Sequence, residues 1–323
     1  MKGIHSVRVK SRRVDYQFEL ARNITVVRGD SGTGKTTLFT MIADHMRSGE
    51  ASGVTVQCDV PCMALTDIDW KNQLQSIKRS IVFIDEGFAA LTSEDFAAAA
   101  QASDNYYVIF SREDLYQLPY SVDEIYRIKT SGKFHTLQRM YSRNDRFVYS
   151  IDGQHPGADF DTVLTEDSKS GFQFFDARFA GTGIAVETAA TNSGVCAWLR
   201  DNSSKVVFVI ADGAAFGAYA DKALKIQREY PEHIAICLPE SFEWLILKSG
   251  IIKAPELDMV LDNPAEFIDC AVDFSWERYF TRLLQRLSKG TPFEYQKSSL
   301  KAAYMVRDNA DKVTALIETG NVK

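Results

Sequence analysis

The chain has 323 residues, of which 45% are hydrophobic and 25% are charged, with a formal net charge of −6 and a pI near 5.5. This length suits two domains that each bury a core, and the balance of residue types is that of a globular protein. The acidic charge excludes a protein that coats nucleic acid over its whole surface.

Cysteine usage and hydropathy indicate the compartment. The cysteines are odd in number and lie scattered in apolar settings, at Cys58, Cys62, Cys196, Cys237 and Cys270. This usage favours buried thiols in a reducing cytosol over a disulfide framework or a zinc site. Met1 leads directly into charged residues, and no apolar run reaches the ~20 residues that a membrane helix needs. We therefore expect a soluble cytoplasmic protein without a membrane segment.

The first predicted elements are strands. Apolar residues alternate loosely along residues 4–20, which predicts two antiparallel strands with a turn near Ser11. Residues 24–27 predict a short buried strand, and residues 38–43 predict the apolar start of a helix.

A glycine-rich segment joins this strand to this helix and fits the pattern Gly-x4-Gly-Lys-[Ser/Thr] without a substitution. It comprises Gly29, Asp30, Ser31, Gly32, Thr33, Gly34, Lys35, Thr36 and Thr37. Glycines let phosphate oxygens approach the main chain, and N–H groups at a helix N-terminus attract anions. Lys35 adds a mobile charge for the β and γ phosphates, and the Thr36 hydroxyl is spaced to ligate Mg2+. The segment predicts a nucleoside triphosphate site with Mg2+ as its metal.

Two later strand ends carry the remaining candidate residues. Residues 81–84 form a continuous apolar run, typical of a strand buried on both faces of a parallel sheet, and Asp85 and Glu86 follow it. In a nucleotide site Asp85 would hold Mg2+ and Glu86 would polarise the attacking water. Residues 106–110 predict another strand, after which Arg112 either senses the γ-phosphate or pairs with an acidic neighbour at the surface. The catalytic candidates are thus Lys35, Glu86 and Arg112, and the metal ligands are Thr36 and Asp85.

Further elements complete the first half. Residues 54–58 predict a strand, and a polar helix runs to about Lys78 from a cap at Thr66 or Asp67. Ser93 caps an alanine-rich helix. Residues 124–140 predict a hairpin with a glycine turn at Gly132.

The composition then changes and divides the chain. Residues 142–170 are rich in Asp, Gly, Ser and Pro, which favours an interdomain linker or a long loop, with His155 as a loop residue. The predicted domains are therefore an ATPase domain over residues 1–141 and a C-terminal domain over residues 171–323.

A second αβ pattern opens the C-terminal domain. It has predicted strands at residues 183–187, 206–213 and 234–238 and predicted helices at residues 192–199 and 216–229. From about Pro264 the sequence reads as all-helical, with Tyr279, Leu283, Leu284 and Leu287 at helical spacing. The predicted fold class is α/β, with a second αβ domain that ends in helices.

The first ~140 residues resemble the P-loop NTPases, and within them the ATP-binding-cassette and recombination-type ATPases. Strands paired ahead of the glycine loop, the Asp85-Glu86 pair and the hairpin around Gly132 carry the resemblance. It implies a P-loop NTPase sheet with flanking helices that binds and hydrolyses Mg-ATP. Only about 50 residues separate Lys35 from Asp85, which leaves no room for the usual helical subdomain, and the sequence contains no Leu-Ser-Gly-Gly signature.

Residues 183–245 resemble, more distantly, the topoisomerase–primase metal domain of overcoming-lysogenization-defect nucleases. That domain holds Mg2+ with carboxylates at strand ends. The resemblance implies a second metal site formed by Glu187, Asp212 and either Glu240 or Glu243. The alternative is that these carboxylates are strand-end caps or surface residues.

Three functions remain open at this point. The first is a cytoplasmic ATPase whose C-terminal domain responds to the nucleotide. The second is an ATP-gated, Mg2+-dependent nuclease with nucleic acid as its partner. The third is a non-hydrolysing nucleotide switch that binds a protein partner, and a small-molecule kinase ranks behind all three. A homo-oligomer is compatible with each of them.

Overall fold

A computed structural model describes residues 1–153 and 159–317. The protein is a mixed α/β structure whose two sheets belong to two compact units. Unit 1 comprises Met1–Tyr120, Glu124–Met140 and Asn263–Phe274, and unit 2 comprises Ser121–Asp123, Tyr141–Asp262 and the chain from Ser275 onward.

Unit 1 is built on one sheet of nine strands within the described residues, in the order β4-β1-β2-β9-β8-β3-β7-β6-β5. The strands are β1 His5–Lys10, β2 Asp15–Leu20, β3 Ile24–Arg28, β4 Thr55–Gln57, β5 Cys62–Leu65, β6 Ile81–Ile84, β7 Tyr106–Phe110, β8 Ile125–Ser131 and β9 Phe134–Arg139.

One half of this sheet is parallel and positions the candidate site. The pairs β8–β3, β3–β7, β7–β6 and β6–β5 all run parallel. Every residue of β3, β6 and β7 is buried, because helices and loops cover both faces of a parallel sheet and only apolar runs satisfy that setting. The strands predicted at residues 24–27, 81–84 and 106–110 are confirmed, and their carboxyl ends meet at one edge.

The other half contains the two predicted hairpins. β1 pairs antiparallel with β2, so that Val7 faces Phe18, and β8 pairs antiparallel with β9, so that Ile128 faces Leu137. Val7 and Val9 are buried, whereas Ser6 and Lys10 are exposed and Arg8 is half-buried. The period-2 pattern therefore predicted these strands correctly, since one face packs on the core and the other meets water.

The helices of unit 1 follow their capping residues. They are α1 Lys35–Ser48, α2 Trp70–Ser76 and α3 Glu94–Gln101, with a 3-10 helix at Gly49–Ser52. Ser93 caps α3 as predicted, because its hydroxyl accepts a hydrogen bond from the Phe96 N–H at 3.1 Å. The predicted cap of α2 is wrong: Asp67 accepts from the Ala89 N–H at 2.8 Å, and the helix begins only at Trp70.

The stretch predicted as a linker or long loop contains strands. β10 Ser142–Arg143, β11 Val148–Ser150 and β12 Thr162–Thr165 lie within residues 142–170, and all four residues of β12 are buried. Strands of two to four residues are too short to show a period against the surrounding glycine and aspartate. His155 lies outside the described residues.

Unit 2 has a sheet of six strands in its described part, in the order β10-β11-β15-β14-β12-β13. The remaining strands are β13 Ala185–Thr188, β14 Val207–Ile210 and β15 Ile234–Cys237. The neighbours β13-β12-β14-β15 run parallel. The chain therefore passes from β12 to β13 on one side and then returns to β14 on the other side of β12.

Helices connect these strands and form the C-terminal part of unit 2. They are α4 Ser170–Phe179, α5 Asn192–Asp201, α6 Gly217–Glu229, α7 Phe242–Lys248, α8 Leu257–Asp262, α9 Trp276–Ser288, α10 Ala302–Met305 and α11 Arg307–Thr314. The predicted helices at residues 192–199 and 216–229 are confirmed as α5 and α6. In α9, Leu283 and Leu284 are buried, as their spacing indicated, and Tyr279 and Leu287 are half-buried.

One segment differs from the predicted division of the chain. Asn263–Phe274, which includes a 3-10 helix at Pro264–Glu266, packs in unit 1. Gly3 N–H donates to the Ala265 carbonyl at 2.8 Å, and the Asn23 side chain donates to the Phe274 carbonyl at 2.7 Å. These bonds join residues more than 250 positions apart, so no local pattern could have predicted them.

None of the helices in residues 1–153 and 159–317 combines the length and the apolar character needed to cross a membrane.

Candidate functional site

The glycine loop joins the carboxyl end of β3 to the first turn of α1. Gly34 precedes the helix in the left-handed region, at φ 100°, a conformation that side chains with a Cβ resist. A Cβ at Gly34 would lie 2.6 Å from the hydroxyl oxygen of Tyr16. Glycine is therefore required here both by the backbone and by its neighbour.

Tyr16 contacts the glycine loop through its hydroxyl, a role that the sequence analysis does not predict. Its hydroxyl donates to the Gly34 carbonyl at 3.0 Å, and its ring stacks on His135 with centroids 4.5 Å apart. Tyr16 is 2% exposed, and this burial raises the pKa of its hydroxyl. The available signal was its place in the alternation of β2, which predicts burial but not contact with a loop 18 residues later.

Lys35 is the first residue of α1 and is almost fully buried, with 5% of its surface exposed. Its ammonium donates to the carbonyls of Gly29 and Asp30, the second at 3.0 Å. Burial lowers its pKa, because desolvation disfavours the charged form. The ammonium is thus held inside the loop, within reach of an anion bound there.

Asp85 follows β6 at the same edge of the sheet. Its Oδ1 atom is buried and has no hydrogen-bond partner among the residues that the structure describes. A buried carboxylate oxygen without a partner is costly unless a ligand or a water satisfies it. The atom therefore fits a metal ligand, together with the exposed hydroxyl of Thr36 on the first turn of α1.

Mg2+ commonly takes only one or two protein oxygens and fills its other positions with phosphates and waters. The donor set of Thr36 and Asp85 suits that pattern. No group of three or more His, Cys, Asp and Glu in the described chain is arranged to hold a metal on its own.

Arg112, which follows β7, bridges the other two parts of the site. Its Nη2 atom donates to the Ser31 hydroxyl at 2.7 Å, and its Nε atom lies 2.8 Å from Oε1 of Glu86. β7 lies between β3 and β6 in the sheet, so the residue after β7 reaches both neighbours. The surface alternative paired Arg112 with Glu113 or Asp114. In the structure Arg112 pairs with Glu86, and Arg28 lies 2.6 Å from Oδ1 of Asp114.

The described structure thus brings together three predicted segments: the loop with Lys35, the Asp85-Glu86 pair and Arg112. The remaining loop residues Asp30, Ser31, Gly32, Thr36 and Thr37 are exposed, and Gly29 and Thr33 are half-buried. Most of the glycine loop is therefore accessible from solvent at this edge.

The second predicted site does not form. Glu187 lies on β13, which β12 separates from β14, and its carboxylate accepts from Lys205 at 2.6 Å and from Trp198 at 2.9 Å. No group of three or more potential ligands is found in the described residues, and Glu187 is paired with Lys205 instead of with Asp212 or Glu240. The glutamate that lies beside Asp212 is Glu166. The sequence analysis does not identify it, because it assigns β12 to a linker or long loop. The run Thr162-Val163-Leu164-Thr165 was its only signal.

No family model matches the chain, and no curated protein gives a significant match.

Proposed function

We propose that unit 1 is a P-loop NTPase of the ATP-binding-cassette and recombination-type branch, and that it binds and hydrolyses Mg-ATP. The observation that carries this proposal is the Arg112 bridge from Ser31 of the glycine loop to Glu86. It joins residues from three adjacent strand ends, where open α/β sheets bind ligands.

Phosphate binding follows from the loop and Lys35. The N-terminus of α1 offers N–H groups and the positive end of the helix dipole to the phosphate oxygens. The Lys35 ammonium, which contacts the carbonyls of Gly29 and Asp30, turns to the β and γ phosphates. Its lowered pKa is restored there, because the phosphates return the stabilisation that burial removes.

Thr36 and Asp85 would hold the magnesium ion, as their hydroxyl and unpartnered carboxylate oxygens indicate. Bound Mg2+ neutralises charge on the phosphates as the terminal bond breaks. Glu86, exposed and ion-paired with Arg112, is positioned as the base that orients the attacking water. Arg112 stabilises negative charge on the γ-phosphate, since its guanidinium already lies between the loop and that base.

Phosphate release by wild type and Glu86→Gln tests hydrolysis. The variant should bind ATP normally and release phosphate about 100-fold or more slowly, the scale of a lost general base. Glu113→Gln is the matched control, because Glu113 is an exposed acid next to Arg112 and outside the bridge. Unchanged turnover in Glu86→Gln would remove the assigned role. ATP binding without any turnover in wild type would favour the nucleotide-switched binding module instead.

We also propose that the protein resides in the reducing cytoplasm. All five cysteines are free thiols, three of them buried, which supports the cytoplasm. The nuclease alternative has lost its predicted ligand set and is not proposed.

A further inference from the structure

Unit 2 has its own ligand-type crevice. β12 lies between β13 and β14. The chain goes from β12 to β13 on one side of β12, and β14 then pairs with the other side of β12. In open α/β sheets, ligands bind at the carboxyl ends of the strands at such a switch point. Glu166 directly follows β12, and Asp212 lies two residues after β14. The Asp212 N–H donates to Oε2 of Glu166 at 3.0 Å.

Glu243 on α7 also lines this crevice, and Glu277 on α9 lies close enough to act electrostatically on Glu166 and Asp212. Glu243 is 1% exposed. The Tyr295 hydroxyl donates to its Oε1 atom at 2.6 Å, and Oε2 is buried without a hydrogen-bond partner in the described residues. An unpartnered carboxylate oxygen in such a place is costly unless a proton, a water or a nearby positive charge offsets its burial.

Lys297 supplies that charge. Its ammonium donates to Oε1 of Glu277 at 2.8 Å, and its side chain, 33% exposed, lines the same small cavity as Glu166, Asp212 and Glu243. Burial opposes the charge on Lys297, but the attraction of Glu243, Glu277 and Asp212 outweighs it and raises the pKa.

Burial also acts on the other two acids of the crevice, Glu166 and Asp212. Burial raises the pKa of Glu166 to about 8, and the pKa of Asp212 is also raised, by burial and by the nearby Glu166 carboxylate. Burial thus opposes negative charge on both acids, and the Lys297 ammonium favours it.

Hydrogen bonds hold the segment that carries Lys297 to helix α4. The Lys297 carbonyl accepts from the Ser170 N–H at 3.1 Å, and the Gln173 side chain bonds to the Ser298 carbonyl at 3.1 Å and to the Leu300 N–H at 2.9 Å. These bonds hold the segment to the first turn of α4.

The space that remains is small. The cavity lined by Glu166, Asp212, Glu243 and Lys297 has a volume of about 30 Å³. A divalent ion bound to these carboxylates would lie beside the Lys297 ammonium, and the two positive charges would repel each other.

We propose that the Lys297 ammonium is the cation of this carboxylate cluster, in the place of the divalent metal that the resemblance of unit 2 implies. Unit 2 is then a folded module without a Mg2+ site at its switch point, and the inference stands independently of the function proposed for unit 1. Removal of the ammonium should leave carboxylates that accept an external cation.

Mn2+ binding without nucleotide, measured at pH 8 by electron paramagnetic resonance and by Tm, tests this. Wild type and Lys297→Arg, which keeps the charge, should show no Mn2+ site that depends on Asp212. Lys297→Met, which keeps the apolar stem, should gain one Mn2+ per chain and a Tm that rises with Mn2+. The gain should disappear in Lys297→Met/Asp212→Asn. Lys301→Met, at an exposed lysine four residues later, is the matched control and should resemble wild type.

Two results would overturn the proposal. One is a wild-type Mn2+ site that Asp212→Asn removes, which decides the matter even where Lys297→Met does not fold. The other is a folded Lys297→Met that gains no Mn2+. An absent wild-type site together with the gain in Lys297→Met supports it.

Discussion

The Nε atom of Arg112 lies 2.8 Å from Oε1 of Glu86, at the ends of two neighbouring parallel strands. The same guanidinium donates to Ser31 in the glycine loop. One side chain therefore connects the segment proposed to hold the phosphates with the residue proposed to orient the water. Both partners are substantially exposed, with side-chain exposures of 52% and 36%, so the pair adds little to stability.

Arg112→Ala should lower kcat for ATP hydrolysis by about 100-fold, the scale of a lost transition-state donor, with a smaller effect on KM. The measurement is steady-state phosphate release. Arg47→Ala is the control, because Arg47 forms an exposed pair with Asp44 on α1. An unchanged kcat in Arg112→Ala would reduce the bridge to a surface ion pair.

Gly34→Ala should destabilise unit 1 by about 1–2 kcal/mol from the left-handed backbone alone, and further through contact with the Tyr16 hydroxyl. Tyr16→Phe removes that oxygen and costs about 1 kcal/mol for its hydrogen bond. Urea unfolding of both single variants and the double variant should therefore be non-additive, with the double variant more stable than the sum indicates.

Gly53→Ala isolates the backbone contribution, since Gly53 also has a positive φ, 73°, but open space around it. Its loss of stability should not change with Tyr16→Phe. Additive effects of Gly34→Ala and Tyr16→Phe would mean that the tyrosine does not constrain the loop.

Much of unit 1 could be predicted because its signals are local. The apolar runs of β3, β6 and β7 are typical of strands in a parallel sheet. Ser93 caps α3 with its own side-chain hydroxyl. The motif around Lys35 likewise lies within one segment. Arg112 could be named as a candidate, but its contact with Glu86 could not, because that contact depends on which strands are neighbours.

The rest could not be predicted, because it depends on contacts distant in sequence. β12 has only four residues between polar stretches, so Glu166 was not recognised as a strand-end carboxylate, and Glu187 was chosen in its place. Lys297 reaches Glu277 from a loop, and Tyr295 reaches Glu243 across 52 positions. No periodicity encodes such pairs.

Tyr295→Phe should destabilise unit 2 by about 1–3 kcal/mol, because it leaves a buried carboxylate, Glu243, without its remaining hydrogen-bond donor. Thermal unfolding followed by near-UV circular dichroism measures the change. Tyr230→Phe, at a partly exposed tyrosine after α6, should have almost no effect. Equal effects of the two substitutions would contradict the buried network.

Asp15→Asn should make unit 1 less stable at neutral pH but not in acid. Two hydrogen bonds from Arg8, at 2.9 and 2.7 Å, lower the pKa of Asp15. A lowered carboxyl pKa in the folded state stabilises the fold above the unfolded value, and this contribution disappears as the pH falls through the folded pKa. The difference between wild type and Asp15→Asn should thus shrink below pH ~4.

Urea unfolding from pH 3 to pH 7 measures that difference. Asp44→Asn is the control, because Asp44 forms an exposed pair with Arg47 and should change stability little at any pH. A constant gap between wild type and Asp15→Asn across the range would show that the lost stability is not electrostatic.

Equilibrium binding of ATP to wild type and Lys35→Ala, with and without Mg2+, tests the central claim most directly. The account predicts that wild type binds in a Mg2+-dependent manner and that Lys35→Ala binds about 100-fold more weakly, because the loop loses its buried ammonium. Equal ATP affinity in the two proteins, or no binding by wild type, would contradict it.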